Sequence, residues 1–283
     1  VTFDRIGFLH LPKAAGTSLA AAVREAFPEE HRFGAWFDRS LYDGFERFDL
    51  MAPDVRDRFY LGDGSELGGF HVIAGHFAYG TITRTLDPSQ VFTVMREPRV
   101  RLLSHWFFWK SWPLSRHQAY LPYDVQTRAM ELDLAGFLRS PWLAPQTDNV
   151  LTRMLLWPNS HVRPDRYLAD VDPVNRWRIA RRARQLVDTL GCAVPLEIGD
   201  RLAPTLSEWC GRTIVLEHLN RTDTSARPHP NEWLTDEVLA LLDARTEFDR
   251  ALWDAACRRH GLDPVATSRR ALATYLQPTD LGA

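Results

Sequence analysis

Only three of the 283 residues are cysteine, Cys192, Cys210 and Cys257. Their wide spacing forms no metal-ligand pattern, and their odd number argues for reduced thiols in a cytoplasmic setting. No window approaches the run of about 18 apolar residues that a membrane-crossing helix needs. A basic region followed by a secretory apolar stretch is missing as well. The charges nearly cancel, with 34 Lys and Arg against 36 Asp and Glu. A net charge of -2 gives no reason to expect a nucleic-acid surface, and a long sulfated polysaccharide is disfavoured as a partner. Neither an internal repeat nor a low-complexity tract is present.

What is present fits one sizeable core. A chain of this length with 45% apolar residues can bury a single α/β domain. Residues 5 to 11 read as a buried parallel strand, Pro12 and Gly16 mark a turn, and residues 17 to 27 read as a helix. The turn itself, Lys13-Ala14-Ala15-Gly16-Thr17-Ser18, has the makings of an anion cradle. A helix start leaves amide hydrogens unpaired, and its dipole favours negative charge. Lys13 adds a mobile positive charge, Thr17 and Ser18 add hydroxyl donors, and Gly16 allows close backbone approach. The order departs from the Walker A pattern, because the lysine precedes the final glycine by three residues instead of following it. The alternative for the segment taken alone is a surface lysine before an ordinary helix cap at Thr17 or Ser18.

A second segment strengthens the first. Residues 91 to 95 form another short apolar run, and Pro98 suits a first helical turn that continues to about Trp109. Arg96 therefore falls at the C-terminal end of a strand, the edge where open α/β sheets bind ligands. Ser104 lies about two turns along the following helix. Arg101, between them, either bridges the surroundings of Ser104 or faces solvent.

Together these segments resemble the sulfotransferase superfamily, on the branch that includes carbohydrate O-sulfotransferases. That family cradles the 5'-phosphosulfate of 3'-phosphoadenosine-5'-phosphosulfate (PAPS) with a PKxxGT[ST] loop, matched by Pro12 to Ser18. Its 3'-phosphate site looks like RxPxxRxxS, matched by Arg96, Pro98, Arg101 and Ser104. The segment 149 to 155 is similar to a family stretch with a threonine and an arginine, which would bring Arg153 to the nucleotide pocket; a surface salt bridge is the alternative for Arg153. Residues 216 to 222 look like the late loop over the nucleotide, which would bring Arg221 and Thr222. Residues 194 to 197 resemble a late strand that Pro195 should make irregular.

The resemblance also assigns a base. Residues 70 to 77 read as a short strand ending in Gly75-His76, and a histidine in this family segment takes the proton from the acceptor hydroxyl. The chemistry suits histidine, which titrates near neutrality. A role in satisfying backbone groups below the pocket is the alternative for His76. His10 is read as structural or supporting, and His105 stays unassigned. The uronyl 2-O-sulfotransferases carry a histidine two residues before their base, where this chain has Ala74.

The resemblance thus implies a three-layer, P-loop-like α/β fold, with a mostly parallel sheet and helices on both faces. It implies in-line sulfuryl transfer from PAPS, leaving 3'-phosphoadenosine-5'-phosphate (PAP), with no metal required. Lys13 would stabilise the leaving phosphate, or serve only to bind it. The acceptor would be a carbohydrate, glycolipid or small hydroxylated metabolite. Trp106, Phe107, Phe108, Trp109 and Trp112, followed by Tyr120 and Tyr123, either line an acceptor pocket or pack a core. Residues 33 to 63 read as an insertion, and residues 110 to 148 as an acceptor-side region. A catalytically silent nucleotide- or carbohydrate-binding domain and a P-loop kinase are the competing classes; the kinase should show Walker-like lysine placement and acidic magnesium ligands.

Overall fold

The computed structural model describes residues 2–41, 48–119, 125–216 and 233–277. Six strands appear there: β1 (Ile6–Leu9), β2 (Phe37–Asp38), β3 (Phe59–Tyr60), β4 (Val72–Gly75), β5 (Val91–Met95) and β6 (Cys192–Pro195). The main sheet has the order β4-β1-β5-β6 with every pairing parallel, and β2 pairs with β3 in a small second sheet. All residues of β1, β4, β5 and β6 are buried, as a sheet covered on both faces requires.

The helices packed on and beside it include α1 (Gly16–Glu25), α2 (Pro98–Lys110), α3 (Val150–Leu156), α4 (Pro173–Thr189), α5 (Leu202–Cys210), α6 (Asp236–Arg259) and α7 (Pro264–Leu276). Alternating strand residues separate two cores. Phe8, Ala74, Phe92 and Val194 pack with α1 and α5, whereas Leu9, Ile73, Met95 and Ala193 pack with α3, α4 and α6. The expected arrangement of helices on both sides of a parallel sheet is thus present. Pro195 ends an ordinary parallel pairing opposite Met95. It is tolerated because β6 lies at the sheet edge.

A third core forms beside the sheet from α2, α6, α7 and the short helix at Leu134–Arg139. Trp106, Phe107, Trp109 and Trp112 belong to it and are buried. The acceptor-wall alternative for these four residues therefore gives way to core packing. Tyr120 and Tyr123 lie outside the described residues.

The stretch 33 to 63, with the residue before it, packs along the sheet edge. Arg32, just before it, bridges to Val72, and Phe37 within it bridges to His76. The free side of β4 is covered in this way, and a clamp forms around the end of that strand. Among the described residues no helix is long and apolar enough to cross a membrane.

Candidate functional site

The C-terminal ends of β1, β4 and β5 bring together the loop before α1, His76 and Arg96. Between β1 and α1 the chain turns through two left-handed residues, Lys13 at φ 67° and Ala15 at φ 58°. Neither is glycine, so each costs about 1–3 kcal/mol, a strain typical of ligand-binding turns. Ala15 occupies the N-cap position of α1 without a side-chain acceptor. The first-turn amides consequently keep their capacity to bind an anion. Thr17 is exposed, Ser18 is half-buried, and Ala14 is sealed in the core. Lys13 is one of only two lysines beside 32 arginines, and its Nζ lies 3.7 Å from the centroid of the Phe108 ring.

Within the fold, Gly16 is required by the close approach of a neighbouring side chain. A Cβ at this position would fall 1.5 Å from Nε2 of His10. The imidazole of His10 therefore lies directly against the loop, only 5% exposed. Its ring stacks on that of His76 with centroids 4.1 Å apart. Burial, with the nearby His76, Lys13 and Arg24, holds His10 well below the usual histidine pKa.

His76 is fixed from several directions. Its N–H donates to the Trp36 carbonyl at 2.7 Å, and its carbonyl accepts from the N–H of Asp38 at 3.0 Å. Gly75 permits this approach, since a Cβ there would meet the Trp36 oxygen at 2.5 Å. Nδ1 of His76 lies 2.7 Å from the carbonyl oxygen of His10. A carbonyl only accepts, so Nδ1 carries the hydrogen and Nε2 carries the lone pair. Burial pushes the His76 pKa down to about 4, against the opposing pull of that hydrogen bond. The ring is neutral at physiological pH and can accept a proton at Nε2.

Arg96 directly follows β5 and donates from Nη1 to the Lys13 carbonyl at 3.4 Å. Burial lowers its pKa, while Tyr275, Glu197 and Glu97 act in the opposite direction. The next residue, Glu97, caps α2 by accepting from the N–H of Val100 at 2.8 Å. Its own N–H donates to Glu197 at 2.7 Å, and Glu197 also accepts from Trp253 Nε1 at 2.9 Å. These two carboxylates, Glu97 buried and Glu197 half-buried, anchor the start of α2 and thereby the position of Arg96.

Further along α2, Arg101 is 1% exposed and Ser104 is fully buried. The three guanidinium nitrogens of Arg101, the Ser104 hydroxyl and His105 Nδ1 have no hydrogen-bond partner among the described residues. Burial pushes the Arg101 pKa down to about 10, with Asp249 opposing and Arg96 reinforcing the shift. Asp249 is itself committed to the N–H groups of Leu151 and Thr152 and to the Thr152 hydroxyl, at 2.8 to 3.0 Å. A buried guanidinium without hydrogen bonds is costly unless an anion supplies acceptors. The donor set present here, two arginines, a hydroxyl and a histidine, fits a phosphate.

Arg153 has another employment. It donates to the Asp148 carboxylate at 2.7 Å and to the carbonyls of Asp148, Arg163 and Arg166 at 2.6 to 2.8 Å. Its guanidinium ties the start of α3 to the following loop. Arg221 and Thr222 lie outside the described residues.

A cleft with about 610 Å³ of empty space, part of it open to solvent, adjoins His76. Pro12 and His76 both line it, whereas Lys13 to Ser18, Arg96, Arg101 and Ser104 are not among its described lining residues. Among the described residues no group of three or more His, Cys, Asp or Glu side chains is arranged to hold a metal ion. Sequence reasoning underrated Arg101 and left His105 without a role, although their spacing from Ser104 places all three on adjoining turns of α2.

Comparisons of the chain with family models, curated proteins and solved structures found no match.

Proposed function

We propose that this protein is a PAPS-dependent O-sulfotransferase with a P-loop-like three-layer fold. One observation carries the reading: Arg96 reaches the carbonyl of Lys13, while Pro12, the residue before Lys13, lines a cleft together with His76. Two groups of anion donors and one neutral base therefore meet at the same sheet edge. The loop of Lys13 to Ser18 would take the phosphosulfate end of the nucleotide. Arg96, Arg101 and Ser104 would take its 3'-phosphate, which supplies the acceptors that the buried Arg101 and Ser104 lack.

When bound, PAPS supplies a sulfuryl group on a phosphate leaving group. The remaining chemistry belongs to the chain. Nε2 of His76 receives the hydroxyl proton as the acceptor oxygen bonds to sulfur and the bond between sulfur and phosphate oxygen breaks. Lys13 and the first amides of α1 hold the charge that collects on the departing phosphate. The stacked His10 and the clamp from Trp36 and Asp38 keep the imidazole of His76 in place. Three buried free thiols accord with a reducing, cytoplasmic setting for the reaction.

The test is incubation with PAPS and a panel of hydroxylated acceptors, followed by mass detection of sulfate gain. Transfer that disappears in His76→Ala while PAP still binds is the expected result. PAP binding without transfer to any acceptor would instead favour a silent nucleotide-binding domain.

A further inference from the structure

Helix α4 carries a charge pattern that the sulfuryl-transfer chemistry does not use. It holds five arginines against one carboxylate, Asp188, in a chain whose net charge is -2. Ile179, Ala183, Leu186 and Val187 turn one face of the helix into the core. Val174, Trp177, Arg178, Arg181 and Arg182 recur at intervals of three and four residues on the other face, and all five are exposed. Two large apolar side chains, Val174 at 60% and Trp177 at 59% exposure, therefore lie beside three guanidinium groups. The arginines divide by their partners. Arg176 pairs with Glu247 at 2.6 Å, and Arg184 shares Asp188 with Arg259, at 2.8 and 2.5 Å. Arg178, Arg181 and Arg182 form no ion pair among the described residues: Arg178 donates to the Asn175 amide oxygen at 3.3 Å, and Arg181 lies 5.3 Å over the Trp177 ring. Both contacts leave the positive charge uncompensated.

We propose that this face docks on an anionic lipid surface, with α4 lying along the bilayer and the indole of Trp177 at headgroup level. Three uncompensated guanidinium groups complement phosphate- and carboxylate-bearing headgroups. An indole beside them suits the interfacial layer, which accommodates an aromatic body and cations together. A helix face is convex, so it offers no walls to grip a peptide or a nucleic-acid strand from two sides. A flat charged surface needs none. The contact is peripheral, and it stands apart from the sulfotransferase reading.

Flotation of the full chain with phosphatidylcholine vesicles, with and without phosphatidylserine, tests this in the absence of nucleotide. The protein should float with the mixed vesicles and stay behind with the neutral ones, and added salt should release it. Each arginine near an anionic surface is worth roughly fivefold in partitioning, so Arg178→Gln, Arg181→Gln and Arg182→Gln combined should weaken binding on the order of a hundredfold. Trp177→Ala, which keeps every charge, should weaken it several-fold. All four side chains are exposed, so both variants should melt as the wild type does. Failure to float with the mixed vesicles, equal flotation with the neutral ones, or full binding by the triple variant overturns the inference. Tighter binding of polyglutamate or of an oligouridylate than of the mixed vesicles, lost in the same triple variant, also overturns it and gives the face to an acidic protein or to RNA.

Discussion

His76 and His10 are coupled through both backbone and ring: Nδ1 of His76 meets the His10 carbonyl at 2.7 Å, and the two imidazoles stack at 4.1 Å. The strand that leads into the anion loop thus sets the tautomer of the proposed base. Because burial depresses the pKa of His76 to about 4, the neutral, proton-accepting form persists well below the ordinary value of 6.5. The kcat/KM profile should stay flat as pH falls from about 7 to about 5. An acid limb with its inflection near 6.5 would show that the working base is a different, solvated histidine.

The same burial makes stability pH-dependent. His10, His76 and His105 all have folded pKa values below 6.5, so the unfolded chain takes up protons first as pH falls. Stability is fullest above pH 6.5 and is lost progressively toward pH 4. Urea midpoints measured across this window should decline with falling pH. His10→Phe should flatten part of the slope. A midpoint that rises on acidification would contradict the assignment of neutral, buried imidazoles.

Gly16→Ala should be destabilising by about 1–3 kcal/mol, because the added Cβ falls within 1.5 Å of His10 Nε2. Removing the imidazole opens that space. The double variant Gly16→Ala with His10→Ala should therefore lose less stability than the sum of the single variants, a coupling readable in a double-mutant cycle. Additive losses would mean that the two positions do not contact one another.

Arg101 should show a trade of stability for binding. Arg101→Met removes a buried guanidinium without hydrogen bonds, so the ligand-free protein should keep or raise its urea midpoint. Stabilisation by PAP should fall sharply in the same variant. A large loss of ligand-free stability would instead assign Arg101 to holding Asp249.

Arg153 should behave in the opposite way. Arg153→Lys cannot reproduce its four hydrogen bonds to Asp148, Arg163 and Arg166. A loss of about 3–5 kcal/mol is expected if the Asp148 charge is left poorly paired. PAP affinity of the folded fraction should be unchanged. Selective loss of PAP affinity with normal stability would return Arg153 to the nucleotide site.

Three strands of the main sheet, β1, β4 and β5, were legible in sequence because each is a short apolar run whose burial leaves no polar face, whereas β6 runs Cys192–Pro195, two residues ahead of the stretch 194 to 197 that the resemblance suggested. Residues 91 to 95 match β5, and the early strand and helix differ from β1 and α1 by one or two terminal residues. Other features depend on contacts distant in sequence. The clamp on His76 comes from Trp36 and Asp38, in a stretch whose irregular composition resembles an insertion. Lys13 and Ala15 adopt left-handed conformations that their residue types do not signal. The aromatic run 106 to 112 was ambiguous because helical spacing gives a face without naming the layer it meets, and α6 and α7 decide that layer. Arg101 was undecided for the same reason: its burial follows from the packing of α6 against α2.

The central claim is that two cationic groups hold the two ends of one nucleotide, and differential thermal stabilisation tests it most directly. PAP and ATP are compared at equal concentration, with wild-type protein and with Arg96→Ala and Ser104→Ala. A ligand at a hundredfold excess over Kd stabilises by about 2.7 kcal/mol, enough to move the midpoint clearly. The account predicts a larger shift with PAP than with ATP, and loss of that preference in both variants. Equal or greater stabilisation by ATP would contradict it.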